Sequence, residues 1–462
     1  MLFFVIALSV WQIALACAFF ILGSLWLWVL LRLRFTHWVV IGALASLLAC
    51  LSALYHMPIA LGMSDQAVRS PDWEGHFEYI RYMASHWSIP PLDGGWQFYQ
   101  PPLYYLFTAL LGRTGEFLHF DFLQTVRYFS VVSTLVFELY GLLIIRRAIR
   151  TPWIAILCSL TLLSWPLLLM LFGRISNEIL LYPLWAVGYY YLLRWRQQRH
   201  SRDLGLAIGL CGVMMLVKTS ALVLLGTVGA VILHDVITRR VSWHCCVHPV
   251  IGLAMILVLI AGMTNFGRTM YYNFNHQHGV SLIVGNLDMN PGLIAGGYAL
   301  NTLRTFIAFD IGAMVRNPYL SFDPATGDKL FWNSYLKTAL FGFFSWPNYA
   351  LAAGLNVVLA LLAAFTAIAA IVVGRANDES RFFIISIAVA LGAQMFYRLI
   401  TVNVLAHDAR YTFPSVIAFV TLTGFLIERL RTLNQRVLAA AGCALLLAFC
   451  SIEFMFMVAH GN

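Results

Sequence analysis

Acidic residues and a histidine that could accept protons lie together in residues 70–83, between two hydrophobic stretches. Ser70 and Pro71 are typical of a helix start, and Asp72 and His76 are four residues apart. Both side chains are therefore predicted on one face of a helix, with Glu74 in the same turn. A carboxylate or an imidazole held in this way can take the proton from a hydroxyl group. We predict that Asp72, Glu74 and His76 are catalytic residues.

Cationic side chains that could bind a phosphate occur in three other short polar turns. These are Arg174, Lys218 and Arg410. A fixed positive charge at a helix boundary stabilises a phosphate anion, although each of these side chains could instead be an anchor at the lipid surface. Further residues in these turns and in residues 99–105 are predicted to contact the substrate: Gln100, Tyr104, Tyr105, Asn177, Glu178 and Tyr411.

The elements that must position these residues are transmembrane helices. The chain has 462 residues, of which 61% are hydrophobic and only 11% charged, and this composition excludes a soluble globular domain. Its net charge of +9 is spread over short arginine clusters at the ends of hydrophobic stretches, which indicates membrane orientation and not nucleic-acid binding. About twelve spans are predicted: 3–31, 38–61, 127–145, 152–172, 179–193, 204–217, 219–237, 247–263, 350–373, 382–403, 412–428 and 436–459.

With the arginine clusters on the cytoplasmic side, the catalytic and cationic turns all face the outside. The predicted organisation is an N-terminal transmembrane module (1–263) with a catalytic first outer loop (62–126), a large outer loop (264–349) and C-terminal transmembrane helices (350–462). Residues 71–87, and a second segment from Pro101-Pro102 with apolar residues at helical spacing, are predicted as helices along the membrane surface. The expected location is the inner membrane of a bacterial cell, with the active site towards the periplasm.

These motifs, in this order, resemble the GT-C class of membrane glycosyltransferases, which includes protein O-mannosyltransferases and aminoarabinose transferases. The residues that carry the resemblance are the acids and histidine of residues 70–83, Gln-Pro-Pro-Leu-Tyr-Tyr (100–105), Ser-Asn-Glu (176–178), Lys-Thr (218–219) and Ala-Arg-Tyr-Thr-Phe-Pro (409–414). The resemblance implies an all-α fold and assigns Asp72 as the acid/base residue. Many relatives carry a lysine where this chain has Gln100, which leaves the phosphate to Arg174, Lys218 or Arg410.

An external active site implies a particular kind of sugar donor. Nucleotide sugars are cytoplasmic, so an external transferase needs a donor that has crossed the membrane on a lipid, such as a polyprenyl-phosphate sugar. Its phosphate leaves without protonation, because cations can stabilise it, and one base then suffices for a single, inverting displacement. The acceptor would be a hydroxyl group of a glycan, lipid or protein.

Other functions and ligands remain open at this stage. A transporter or flippase of a lipid-linked or anionic substrate would also carry charges among its helices. An oligosaccharide ligase with a polyprenyl-diphosphate donor, or an inactive relative acting as a scaffold, would share the motifs. No metal site and no certain cofactor are predicted, although Asp72 and Glu74 could hold a divalent cation. The long outer loop is predicted to close over Asp72 when donor binds.

Overall fold

The computed structural model describes residues 71–171, 174–241, 248–275, 302–321, 329–342, 345, 348–373, 378–400 and 408–460. Two of the predicted spans, 3–31 and 38–61, lie outside these residues. So do parts of the large outer loop, including its segment 276–301. The side chains of residues 71–74 also lie outside the described part. The predictions for Asp72 and Glu74 therefore stay predictions.

The described chain is helical and contains no strand within these residues. Its α-helices, numbered in chain order, are α1 (Pro71–His86), α2 (Leu103–Phe117), α3 (Phe122–Ala148), α4 (Pro152–Leu163), α5 (Pro166–Leu171), α6 (Glu178–Gln198), α7 (Ser201–Met215), α8 (Leu222–Ile237), α9 (Pro249–Asn275), α10 (Leu303–Ile307), α11 (Ile311–Arg316), α12 (Phe331–Phe341), α13 (Tyr349–Val373), α14 (Asp378–Ile400), α15 (Ser415–Thr432) and α16 (Arg436–His460). Two short 3-10 helices, Thr219–Ala221 and Ala409–Thr412, precede α8 and α15. The predicted all-α fold is confirmed.

Six described helices are long and apolar enough to cross a membrane, so the chain is a multi-pass membrane protein. They are Phe122–Ala148, Thr219–Ile237, Pro249–Asn275, Tyr349–Val373, Glu379–Ile400 and Arg436–Phe456. The predicted count of twelve is not confirmed. The four other predicted spans within the described residues correspond to α4 with α5, α6, α7 and α15, which are shorter or carry more charge. The predicted span 152–172 is divided, because α4 ends at Leu163 and Pro166 starts a new helix.

The two helices predicted in the first outer loop are both present. Helix α1 is described from Pro71 onwards, so its predicted start after Ser70 stays a prediction, and α2 begins directly after Pro101-Pro102. The connecting segment crosses α1 at Gly75, where an added Cβ would lie 2.9 Å from the Gln97 side chain. Such a close approach needs a glycine, because any larger residue would push the segment away. The loop before α2 is thereby held against the residue that precedes His76.

Helix α15 lies at the centre of the described bundle. It packs against α3, α4, α13, α14 and α16, and nearly all its residues between Val416 and Ile427 are buried. Its N-terminal end follows the turn that contains Arg410, and its C-terminal end carries Arg429 and Arg431. One buried helix therefore connects the two charged ends of the bundle.

Helix α9 continues past the predicted span end at residue 263 and ends at Asn275. The extension carries Asn265, Thr269 and Asn273, which are spaced by four residues and are all buried. Residues at this spacing share one helix face, so the extension presents a polar stripe to the protein. Hydropathy alone predicted too early an end for α9, because the part of the helix after residue 263 is amphipathic.

Candidate functional site

His76 and two tyrosines join α1 to α2. The Nδ1 atom of His76 lies 2.7 Å from the hydroxyl of Tyr105, and both residues are buried. The ring of Tyr105 also stacks on Tyr79, with 3.8 Å between ring centroids. Aromatic stacking and a buried hydrogen bond together fix the position of the imidazole. The predicted residues His76 and Tyr105 are therefore in direct contact.

Gln100 joins the first outer loop to two other turns. Its side-chain oxygen accepts a hydrogen bond of 3.1 Å from Asn177, whose amide also donates to the carbonyl of Val217 at 3.3 Å. Beside it, the backbone N–H of Leu103 donates to the carbonyl of Leu216 at 3.0 Å. Three segments that are far apart in the chain thus meet in one buried layer.

The cation and the carboxylate of this layer form a buried ion pair. Lys218 Nζ donates to Glu178 Oε1, and the two side chains are only 10% and 5% exposed. The same ammonium lies 5.2 Å from the centroid of the Tyr411 ring, within the range of a cation–π contact. Glu178 is the first residue of α6, where the helix dipole also favours a negative charge.

The last predicted cation has an acidic partner as well. Arg410 pairs with Asp408, and both side chains are almost completely buried. The carbonyl of Arg410 accepts a hydrogen bond of 2.7 Å from the hydroxyl of Tyr182 in α6. Helix α12 contacts the same turn, because Thr338 Oγ1 accepts from the backbone N–H of Ala409 at 3.0 Å. Part of the large outer loop region therefore packs directly beside Arg410.

Glu178 is the electrostatic centre of the cluster. Burial by itself would raise the pKa of this carboxyl, but the nearby Lys218, Arg174, Arg410 and His76 together hold its pKa well below the ordinary value. Glu178 is therefore ionised at neutral pH, and its role is that of an acceptor and a negative charge. All four of these neighbours were predicted from the sequence as site residues.

The tyrosines of the site are neutral. Burial, followed by the charge of Glu178, raises the pKa of Tyr104. Burial and the neighbouring Tyr79 raise the pKa of Tyr105 well above its ordinary value. Neither phenol can serve as a base near neutral pH, but each hydroxyl can form hydrogen bonds with a ligand.

Several buried acceptor atoms in this layer have no hydrogen-bond partner among the residues that the structure describes. They are Ser176 Oγ, Asn177 Oδ1, Glu178 Oε2 and Ser220 Oγ. Three of them belong to consecutive residues of one turn. Buried polar atoms are normally paired, and leaving one unpaired costs about 1–3 kcal/mol. Unpaired acceptors grouped beside cations are typical of a surface that binds a polar ligand.

The sequence analysis did not predict the contacts of three charged residues in this part of the structure. Asp408 and Glu178 were not recognised as ion-pair partners of Arg410 and Lys218. Arg268, in the extension of α9, donates to the carbonyls of Pro90 at 2.6 Å and Phe98 at 3.0 Å and so holds the loop before α2. The polar stripe at spacing four in this extension was the signal that could have revealed Arg268 as part of the site.

Within the described residues, no group of three His, Cys, Asp or Glu side chains lies close enough to hold a metal ion. The possible divalent-cation site at Asp72 and Glu74 falls outside the described side chains and remains a prediction.

The turn that contains Arg174 is fixed by a hydrogen bond from α3. The backbone carbonyl of Arg174 accepts this bond from Ser130 Oγ at 2.7 Å, just before Glu178. The structure thus gathers ten of the twelve predicted site residues into one layer: His76, Gln100, Tyr104, Tyr105, Arg174, Asn177, Glu178, Lys218, Arg410 and Tyr411.

The sequence matches a known family over part of its length. A family model described as dolichyl-phosphate-mannose-protein mannosyltransferase matches residues 100–264. This range contains Gln100, Arg174, Glu178 and Lys218, whereas Asp72 and Arg410 lie outside it. The predicted resemblance to the GT-C class of membrane glycosyltransferases is thereby confirmed.

Two solved structures are similar to the chain. One is ArnT from Cupriavidus metallidurans bound to undecaprenyl phosphate, which is 17% identical with a TM-score of 0.39 and covers 86% of this chain and 77% of that chain. The other is the same protein in the apo state, with 17% identity, a TM-score of 0.38 and coverage of 85% and 76%. No curated protein matches the chain.

Proposed function

We propose that the protein is an inverting glycosyltransferase that moves a sugar from a polyprenyl-phosphate donor to an acceptor hydroxyl at the periplasmic side of the inner membrane. The observation that carries the proposal is the buried layer around Glu178, where cations and unpaired acceptor atoms lie together. The cations suit the phosphate of the donor, and the unpaired acceptors suit the hydroxyl groups of a sugar, which donate hydrogen bonds.

The charge of the layer is compatible with an anionic donor. Three cations, Arg174, Lys218 and Arg410, face two carboxylates, Glu178 and Asp408, which leaves one positive charge in excess. A phosphate that entered this layer would balance the excess charge. The family description supports this choice, because dolichyl phosphate is itself a polyprenyl phosphate that carries the sugar of the donor.

The reaction needs one base. The carboxylate of Asp72 takes the proton of the acceptor hydroxyl, whose oxygen forms a bond to the anomeric carbon of the sugar. The bond between that carbon and the phosphate oxygen breaks, and the polyprenyl phosphate leaves with the bonding electrons. Arg174, Lys218 and Arg410 stabilise the charge that grows on the phosphate. A single displacement of this kind inverts the anomeric configuration.

The test is a transfer assay with the purified full-length chain in lipid nanodiscs. It would use a panel of synthetic prenyl-phosphate sugars, with release of prenyl phosphate followed by mass spectrometry. Asp72→Asn should lower turnover about 10²–10⁴-fold, the range for a lost general base, and Glu74→Gln should lower it less. A reversed order would move the role of the base to Glu74. Normal turnover of both variants would contradict the proposed chemistry.

The same assay separates the enzyme from a transporter. A transferase forms a new glycosidic bond, and nuclear magnetic resonance of the product gives the anomeric configuration. Retention of configuration would rule out the single displacement. A flippase would instead move labelled donor across the membrane of a vesicle without changing it chemically. Donor that crosses intact, without any glycosylated product, would favour the transporter.

A further inference from the structure

A second charged region lies at the opposite end of the bundle from Glu178. Between the C-terminal end of α15 and the first residues of α4 and α16 is a cavity of about 760 Å³. Four arginines line it: Arg150, Arg429, Arg431 and Arg436. Helix α15 has 18 residues and separates this cavity from Arg410 by about 27 Å, at roughly 1.5 Å per residue. That separation is close to the thickness of the hydrocarbon core of a bilayer, about 30 Å.

The arginines of the cavity differ from those at the nearby end of α6. Arg194 pairs with Asp203, and Arg196 and Arg199 pair with Asp235, at 2.8–3.2 Å. In the part of the chain that the structure describes, none of the four cavity arginines forms an ion pair. The four arginines are exposed, so water and salt reduce the repulsion between them, but an anion held between them would still be favoured.

The carboxylates that line the cavity do not neutralise it. Glu428 accepts hydrogen bonds from the backbone N–H and the hydroxyl of Thr151, so it stabilises the start of α4. Glu379 is the other acid in the lining. With four arginines and two acids, the cavity keeps an excess of two positive charges.

The arginine side chains are partly held in place by aromatic rings. Arg431 lies 5.0 Å from the centroid of the Trp153 ring, and Arg429 lies 5.4 Å from that of Phe425. Cation–π contacts orient a guanidinium without using its N–H donors, which remain available for a phosphate. Trp153 is 44% exposed, and an exposed tryptophan at a helix end is typical of the membrane interface.

We propose that this cavity binds the phosphate group of an anionic ligand, and that the lining favours the headgroup of an anionic membrane lipid. Another part of the lining is apolar, with Ala439, Ala440 and Cys443 of α16, which suits the glycerol and first acyl carbons of a lipid. Its volume lies within the range of ligand sites, about 300–1,000 Å³. Basic pockets between transmembrane helices on the cytoplasmic side are a known setting for lipid phosphates. A soluble phosphate compound is the other source of the same chemistry.

The proposal is tested with the full-length protein in detergent, titrated with cardiolipin and followed by native mass spectrometry. Phosphatidylcholine, which has no net charge, serves as the reference lipid, and inorganic pyrophosphate is added as a competitor. The double variant Arg431→Gln/Arg436→Gln should bind cardiolipin about tenfold more weakly or worse. The matched control is Arg239→Gln/Arg240→Gln, which removes one exposed and one half-buried arginine that follow α8 and lie outside the cavity.

The possible results distinguish a lipid headgroup, a soluble phosphate compound and a general surface effect. Weakened cardiolipin binding in the cavity variant alone, with an unchanged unfolding temperature, supports the lipid headgroup. Pyrophosphate that displaces cardiolipin at equal concentration would assign the cavity to a soluble phosphate compound instead. Equal weakening in both double variants, or none in either, would overturn the proposal, since the attraction would then be a general surface effect.

Discussion

A buried carboxylate lies at each end of helix α6, but the partners of the two differ: Glu178 is the first residue of α6, whereas Asp235 belongs to α8 and contacts the C-terminal end of α6. At the C-terminal end, Asp235 Oδ1 lies 3.2 Å from Arg196 and 3.0 Å from His234, and Oδ2 lies 2.8 Å from Arg199. At the N-terminal end, Glu178 has an ion pair with Lys218 alone among the described residues. One oxygen of each carboxylate, Asp235 Oδ2 and Glu178 Oε2, has no hydrogen-bond partner there, but Asp235 Oδ2 still lies 2.8 Å from the Arg199 cation.

We expect this difference to distinguish a structural contact from the proposed binding site. A carboxylate whose two oxygens each face a cation has little capacity left for a ligand, so Asp235 fastens the helices to each other. Among the described residues Glu178 has one ion-pair partner and keeps a buried acceptor atom, which is costly in the absence of a ligand. Function is therefore expected at the end of α6 that is less well satisfied.

The largest effect on stability is expected when the ion pair of Glu178 is broken. Lys218→Ala leaves a buried carboxylate without its partner and should lower the free energy of unfolding by about 3–5 kcal/mol. The measurement is chemical unfolding in detergent. The double variant Lys218→Ala/Glu178→Gln is the control and should recover much of this loss. A single variant with wild-type stability would show that the pair is not formed as described.

A matched change at the other end of α6 completes the comparison. Asp235→Asn should also lower stability, because it leaves the buried Arg196 without its charge partner. Prenyl-phosphate binding by the folded variant should stay unchanged, whereas Lys218→Ala should weaken it. Loss of that binding in the Asp235 variant would remove the proposed distinction between the two ends.

A smaller effect is expected from Arg268, which holds the loop before α2. Arg268→Gln removes hydrogen bonds from a charged donor to the carbonyls of Pro90 and Phe98, each worth about 1.5–3 kcal/mol. Hydrogen exchange of residues 88–102 should become faster, while α15 keeps its protection. Equal exchange in both proteins would mean that other contacts hold the loop.

The pH dependence of the unfolding free energy tests the lowered pKa of Glu178. Because its pKa is lower in the folded state, its ionised form contributes stability that is fully present above the unfolded-state pKa, roughly 4.3. That contribution is lost as the pH falls through the lowered folded-state pKa. The difference in unfolding free energy between wild type and Glu178→Gln should therefore be constant near neutral pH and shrink in acid. A difference that grows in acid would contradict the lowered pKa.

The smallest effect is expected for an exposed ion pair on α2. Arg113 and Glu116 lie 2.8 Å apart, with side chains that are 47% and 44% exposed. Such pairs contribute about 0.2–1 kcal/mol, and salt weakens them. Glu116→Gln should therefore change the unfolding free energy by less than about 1 kcal/mol at low salt. The change in unfolding free energy of this variant is the reference for the larger changes expected at the buried ion pairs.

Local sequence signals predicted the helices well. Pro101-Pro102 precedes a helix start as predicted, because proline suits the beginning of a helix and disfavours the interior. The residues before Pro71 lie outside the described part, so that helix start stays a prediction. The end of α9 was placed too early, since its last turns alternate polar and apolar faces. The count of twelve spans is not confirmed, because two of them lie outside the described residues and four others correspond to helices that are shorter or more charged than the six apolar ones.

The contacts of the site could not be predicted in the same way. Asn177 and Gln100 are 77 residues apart, and Lys218 and Glu178 are 40 apart, so no local spacing indicates that they touch. The sequence predicted that cations and acids share one layer, but each cation was assigned to the phosphate separately. Their pairing with Glu178 and Asp408 depends on the packing of α6 against its neighbours, which only the structure shows.

The length of α15 has a consequence for the membrane in which the protein works. The helix is buried on almost all sides, so it cannot tilt freely to adapt to a bilayer of different thickness. Its ends fix the distance between the layer at Arg410 and the arginines at its other end. A bilayer with much longer acyl chains would have to thin locally around the protein or pull one charged layer into hydrocarbon. The acyl chain length of the surrounding lipids is therefore expected to affect this protein as directly as a substitution in its sequence.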